Sequence, residues 1–309
     1  MDTNRVGLVP RHPFISFVVA LWTVASVLAA NAGEIEDAQA AINAGDYVKA
    51  LQLLGTLADQ DNPSAEHALG VMYIKGLGVP QDYTVGMRWL RLAADKGLPE
   101  AQNEVGVLYQ QGLGVERNQV EAVKWFRRAA DQGGLAVAQD NLADCYVLGL
   151  GVTQDFDQAL KWYRIAADQG SSYGENVMGV AYEHGFHVAQ DDAEAFRWYR
   201  RAANKIYDRA GNTWIHTPQY NIGVMYASGR GTAQDYVRAL MWFALAVGFG
   251  DTKPPAPFGI ELVDTPKQTG PEQRDKLLSQ MTSAQIADAE RMAREWRPHL
   301  VVTIQPQQK

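Results

Sequence analysis

The stretch AQNEVGVLYQQGLGVERNQVEAVKWFRRAADQG, Ala101–Gly133, reads as two helices on either side of a glycine turn. Glycine after a helix is the usual stop, because it takes up a left-handed backbone without steric cost. Asn118, just past the turn, is an N-cap residue that satisfies the free N–H groups of the second helix. The turn's Gly-Leu-Gly-Val, Gly112–Val115, recurs at Gly76–Val79 and Gly149–Val152, with an echo at Gly229–Thr232. A dinucleotide or phosphate loop carries its glycines once, between a strand and a helix, and a P-loop adds Lys-Ser or Lys-Thr. Here the glycines lie between helices, repeat, and lack that pair. They mark a turn rather than a phosphate cradle.

The rest of the chain falls into the same register. Tyr73, Tyr109, Tyr146, Tyr182 and Tyr226 are spaced by 36, 37, 36 and 44 residues, and Trp89, Trp125, Trp162, Trp198 and Trp242 show the same intervals. Five units therefore share one frame, the fourth carrying eight extra residues, and GDYVKAL at Gly45–Leu51 adds an incomplete unit before them. In the first unit helix A is expected from about Ala65 to Lys75 and helix B from about Asp82 to Asp95. Asp82, Asn118, Asp155, Asp191 and Asp235 stand as N-caps of the B helices. Gly70, Gly106, Ala143, Gly179 and Gly223 form a column of small residues in helix A. Two further columns, starting at Gly86 and at Ala93, do the same in helix B and let the paired helices approach closely. A tryptophan column at strict helical register is core rather than a stacking platform for sugars or bases.

The pattern A-x-x-x-L-G-x-x-Y-x-x-G-x-G-V…D…A-x-x-W-x-x-x-A-A-x-x-G resembles the Sel-1-like repeat family, relatives of tetratricopeptide repeats, from Asp46 to about Gly250. The resemblance implies an all-α fold, a right-handed α/α solenoid of Sel-1-like helix pairs that binds other proteins, and the exported bacterial members it is similar to act as envelope adaptors or regulators of membrane signalling proteins. Repeat three departs from the pattern at Ala143 and Asp144, where its neighbours have Gly-Val, and repeat four has His187 for the second turn glycine. A branch of the family linked to penicillin binding carries paired cysteines in each repeat; this chain has only Cys145 and departs from that branch.

The expected organisation is a signal peptide at 1–32, an N-terminal capping helix pair at 33–63, and five repeats over 64–251. A proline-rich connection at 252–267, a C-terminal helical cap at 268–299 and a disordered tail at 300–309 complete it. The cap helices are expected near Glu272–Met281 and Ser283–Trp296, the second started by Thr282 or Ser283, since an open solenoid needs a terminal cap with a polar outer face. Arg5 and Arg11 precede an uncharged run, Phe14–Ala30, and Ala30-Asn31-Ala32 supplies the small-x-small cleavage triplet. The alternative is an uncleaved inner-membrane anchor, for which the run is a little short. The expected location is the periplasm or the medium.

Formal net charge is −7, which disfavours a nucleic-acid partner because phosphate binding needs a basic patch. The lone Cys145 aligns with Met72, Leu108, Ala181 and Met225, an apolar column, and reads as a packed thiol. No H-E-x-x-H, G-x-S-x-G or S-x-x-K sequence is present. Glu183, His184, His187, Asp191 and Asp192 cluster in repeat four, with residue types that suit zinc, but Gly185 breaks the helix among them. The reading is a polar turn, with no metal, no cofactor and no catalytic residue. An envelope enzyme or cell-wall-ligand binder built on this cluster is the alternative.

Partner binding is assigned to helix A. With a rotation of 100° per residue, Ala65, Leu69, Tyr73 and Gly76 face the core, and three other columns lie opposite. One is His67, Asn103, Asp140, Asn176 and Tyr220. The next is Val71, Val107, Asp144, Val180 and Val224, and the last starts at Ile74. By analogy with tetratricopeptide repeats these line a concave groove for a protein or peptide partner in the cell envelope. The repeat-four expansion, Asn204–Gln219, adds Tyr207 and Trp214. The chain is expected to act as a monomer and to meet the membrane only through a membrane-protein partner.

Processing is expected after Ala32. N-terminal sequencing of the exported protein should begin at Gly33; recovery of Met1–Ala32 in a membrane fraction would contradict it.

Overall fold

A computed structural model describes residues 33–204, 216–247 and 270–296. The expected signal peptide, proline-rich connection and tail, and Tyr207 and Trp214 of the repeat-four expansion, lie outside the described residues. The architecture is all-α. A helix over 33–43 (α1) and α2 (Tyr47–Ala58) precede five helix pairs: α3 (Pro63–Lys75) with α4 (Tyr83–Asp95), α5 (Pro99–Gln111) with α6 (Gln119–Asp131), α7 (Ala136–Leu148) with α8 (Phe156–Asp168), α9 (Ser172–His184) with α10 (Asp192–Ala203), and α11 (His216–Ser228) with α12 (Tyr236–Val247). Then come α13 (Gly270–Leu278) and α14 (Ser283–Glu295). The chain divides after Ala101 into two compact units, each with its own apolar core.

Every A–B turn is closed the same way. Gly76, Gly149 and Gly185 end their A helices in the left-handed conformation, at φ of 68°, 64° and 64°. The N–H of the N-cap residue then donates to the carbonyl of the repeat tyrosine: Asp82 to Tyr73, Asn118 to Tyr109, Asp155 to Tyr146, Asp191 to Tyr182 and Asp235 to Tyr226, all at 2.9–3.0 Å. The cap side chains accept from the first turn of each B helix, as at Asp155 to Gln158 (2.9 Å) and Asp235 to Arg238 (2.9 Å). Each such cap contributes about 1 kcal/mol. In four of the turns the glutamine before the cap donates its amide to a free carbonyl at the end of helix A. Gln81 reaches Ile74, Gln154 reaches Val147, Gln190 reaches Glu183 and Gln234 reaches Ala227, at 2.7–2.9 Å.

Within a pair, a large side chain of helix B lies directly against a glycine of helix A. A Cβ on Gly106 would come within 2.6 Å of the Phe126 ring, one on Gly179 within 2.5 Å of Tyr199, and one on Gly223 within 2.6 Å of Phe243; Leu90 covers Gly70 in the same manner. Repeat three has Ala143 here, and its ring, Tyr163, is also fully buried. In repeats one to four a second contact ties the end of helix B to the start of its own helix A. Lys96 Nζ lies 2.7 Å from the Glu66 carboxylate, the amides of Gln132 and Gln169 donate to Gln102 (2.8 Å) and Gln139 (3.0 Å), and Arg201 Nε donates to Glu175 (3.0 Å). Two repeats meet the joint with an ion pair and two with paired amides, so no charge is buried there without its opposite.

The second turn glycine joins consecutive repeats. A Cβ on Gly151 would lie 2.2 Å from the Gln119 carbonyl oxygen, and one on Gly231 2.0 Å from that of Asp192, each at the start of the preceding B helix. Beyond the last repeat, α13 and α14 pack on α12, burying Leu277 and Ala289 and setting Trp296 edge-on to Trp242 at 5.9 Å. Thr282 and Gln285 form a reciprocal capping box that starts α14.

Gly151→Ala should be costly for two reasons, its φ of +71° and the backbone 2.2 Å away. Gly133→Ala has only the first, a φ of +77° in open space. Denaturant unfolding should show a loss of about 1–2 kcal/mol for Gly133→Ala and distinctly more for Gly151→Ala. Equal losses would mean the close approach is not what that glycine serves.

Candidate functional site

The helix-A columns assigned to the partner are only partly open. In the column expected to lie away from the core, Asn103, Asp140 and Asn176 are buried, while His67 and Tyr220 are half-buried. The correction has a physical cause: a stacked helix A has two partners, its own helix B and the next helix A. Asn141 of α7 donates to Asn103 of α5 (2.8 Å), and Asn221 of α11 donates to Asn176 of α9 (3.4 Å), so this column joins neighbouring A helices. In the valine column Val180 is buried in the core with 6% exposure, whereas Val71, Val107 and Val224 are half-buried. The open part of the face over repeats two to five is thus Val107, Asp144, Tyr220 and Val224.

Asp144 is the polar centre of that face. It accepts from the Tyr163 hydroxyl of α8 and from the Tyr173 hydroxyl of α9 (3.0 Å), so one carboxylate fastens three helices from two repeats. One turn earlier Asp140 accepts from Ser171 (2.6 Å), the residue whose oxygen also caps α9. The two tyrosine rings meet edge to face at 5.8 Å. Burial pushes the Asp144 carboxyl up to about 6, against the opposing pull of the two hydroxyls. Burial, with the neighbouring Asp144 adding to it, also pushes the Cys145 thiol up to about 12, so that sulfur stays protonated and packed.

The repeat-four cluster does not converge. Glu183 turns to the Tyr199 hydroxyl (2.7 Å) and the Arg230 guanidinium (2.5 Å), Asp192 faces Arg230 at 3.8 Å, and Asp191 caps α10. His187 leaves the group altogether: its Nδ1 lies 2.8 Å from Asp157 of the preceding repeat, with its ring against Phe156 and Phe186. Among the described residues no group of three or more His, Cys, Asp or Glu side chains is placed to hold a metal ion. Among them, too, no helix is long and apolar enough to cross a membrane.

The helix pairs and their joints define an α/α repeat scaffold. The Sel1 repeat profile matches residues 63–98, 99–134, 136–171, 172–206 and 219–247, and the chain belongs to the Sel1 repeat family. It is similar to c5321, a protective antigen present in uropathogenic Escherichia coli strains that displays an SLR fold, with 32% identity and a TM-score of 0.64 over 81% of this chain and 49% of that one. It is also similar to a Sel1 repeat protein from Oxalobacter formigenes, with 32% identity and a TM-score of 0.62 over 70% of this chain and 83% of that one. The chain spans about half the length of c5321. No curated protein matches it.

Because the folded state raises the Asp144 carboxyl above its ordinary value, it favours the protonated form. The stability from this group is fully present below about pH 4 and is lost as pH rises through about 6. Asp144→Asn keeps an acceptor for both tyrosines and removes the charge. It should raise the melting temperature near pH 7.5, by the equivalent of up to about 3 kcal/mol, and change little near pH 4. A variant destabilised at both pH values would show that Asp144 is held as a favourable carboxylate.

Proposed function

We propose that this Sel1 repeat protein is a non-catalytic scaffold of the cell envelope, exported through a leader cleaved after Ala32, that binds a protein or peptide partner on the helix-A face of repeats two to five. The observation that carries the reading is the division of labour among the polar side chains. The groups that resemble chemistry in the sequence, Glu183, His187, Asp191 and Asp192, are bonded into turns and inter-repeat contacts. What the helix-A face leaves half-open is the valine column, with Val107 and Val224 accessible to a partner and Asp144, held by its two tyrosines, between them. A half-open apolar column beside a fixed polar group is a surface that gains by further burial and has one position to set register. Tyr207 and Trp214 of the expansion are assigned to the same partner. Protein binding is also what the family membership supports.

A photo-crosslinking residue placed at Val107 or at Val224 should give the same discrete adduct in envelope preparations, and one at Glu116, in the turn after α5, should not. Adding Val107→Asp to the Val224 crosslinking variant should abolish its adduct while leaving the melting curve close to wild type, because the valine is only half-buried. Adducts of equal intensity from all three positions, or none from the two valines, would place the partner elsewhere.

A further inference from the structure

The chain is acidic overall, yet its B helices carry a strict cationic pattern. At two register positions, three residues apart, helices α6, α8 and α10 present Lys124 and Arg127, Lys161 and Arg164, and Arg197 and Arg200, all exposed. Repeat one has Arg88 and Arg91 at the same positions, and repeat five ends the pattern with Met241 and Ala244. The three helices are neighbours: Trp162 of α8 packs on the cluster that holds Phe126 of α6, and the Arg164 guanidinium lies 5.6 Å from the Trp198 ring of α10. The six cations therefore form one band. Lys124 and Arg197 meet only the glutamate one turn back on their own helices (2.6 and 3.1 Å), exposed pairs that hold little energy. Among the described residues no carboxylate pairs with Arg127, Lys161, Arg164 or Arg200. Elsewhere in the same unit arginines do find carboxylates, as Arg201 finds Glu175 and Arg230 finds Glu183. A band in which four of six cations meet no carboxylate, in a chain with 35 acidic and 28 basic residues, attracts an anionic surface.

We propose that the B-helix band of repeats two to four is a second docking surface, separate from the helix-A face, and that its partner is an acidic polypeptide segment. The choice of a protein over a lipid surface rests on how the guanidiniums are held. Arg127 and Arg164 donate to the hydroxyls of Tyr146 and Tyr182 in the following A helices, and Arg164 also faces the Trp198 ring. These contacts fix planar forks at intervals set by the repeat, a geometry suited to carboxylates, which take up two N–H groups side by side. A membrane surface requires positive charge but no fixed spacing.

The test uses the full chain and three probes: a labelled peptide of alternating Glu and Ser, its Gln counterpart, and phosphatidylglycerol vesicles. Fluorescence anisotropy should show the Glu peptide bound at least tenfold more tightly than the Gln peptide, with affinity falling as salt is raised. Lys161→Glu with Arg200→Glu changes two cations that meet no carboxylate. It should weaken the Glu peptide at least tenfold without moving the melting temperature, whereas Lys161→Arg with Arg200→Lys should retain binding. Equal binding of the two peptides, or a charge-reversed protein that binds as well as wild type, would overturn the proposal. Binding to vesicles without binding to the Glu peptide would overturn it in favour of a membrane surface. Val107 and Val224 take no part in this assay, so its outcome is independent of the helix-A reading.

Discussion

The structure depends on how closely helix B can lie on helix A. With glycine at Gly106, Gly179 and Gly223, a ring rather than a methyl group fills the space between the helices, at distances where a Cβ would collide. Each ring is worth roughly 2–3 kcal/mol of burial, and it also fixes the rotation of one helix about the other. Once that rotation is set, the end of helix B falls beside the start of helix A, where the Gln132–Gln102, Gln169–Gln139 and Arg201–Glu175 contacts close the repeat. The turn is fixed from the opposite end by the tyrosine carbonyl and the preceding glutamine. A repeat is thus held at both ends and in the middle, and copying it needs only one further rule, the glycine that rests on the previous B helix.

Most of this was legible in the sequence because it is local and periodic. Left-handed glycines, N-caps and small-residue columns act over a few residues, and a chain that repeats them displays the same signal several times. The glutamine device, Gln-Asp at Gln81, Gln154, Gln190 and Gln234, is just as periodic but carries no boundary signal, because glutamine has no strong helix-boundary preference of its own. The helix-A face was harder to read. A helical wheel has one inside and one outside, and it assigned Asn103, Asp140 and Asn176 to the outside. In a stack the outside of one helix A is partly the inside of the next, so those side chains are buried in pairs, and Val180 with them. Periodicity identifies which residues are equivalent; it does not say how many neighbours each copy has.

Repeats three and four replace apolar contacts with polar ones, and they do so in matched sets. Repeat two places Phe126 beside Val107; repeat three has Tyr163 beside Asp144, and the phenol donates to the carboxylate. Repeat four keeps Val180 but places Glu183 one turn on, where Tyr199 and Arg230 reach it. A tyrosine in this place needs an acceptor, since a buried hydroxyl without one costs more than the ring gains by its extra atom. Because Tyr173 and Arg230 come from the following repeats, each matched set fixes which repeat follows which. Such locks add specificity more surely than stability, which fits a carboxyl at Asp144 that burial holds partly against ionisation.

His187 shows that the constraint lies in the joint and not in the residue type. It stands where the turns of repeats three and five have Gly151 and Gly231 against the preceding B helix, and it keeps the same left-handed backbone, at φ 53°. A left-handed histidine costs on the order of 1 kcal/mol. In exchange its side chain reaches that B helix itself: Nδ1 meets Asp157, and the ring lies on Phe156. The contact that Gly151 and Gly231 make through the backbone is made here through an imidazole and a carboxylate. Asp157 is 70% exposed and His187 39%, so the polar contact is weak in water and the apolar part of the contact carries most of the replacement. The joint between repeats three and four therefore rests on aromatic packing where its neighbours rest on excluded volume, and it is the joint into which Asp144 and its two tyrosines are also built.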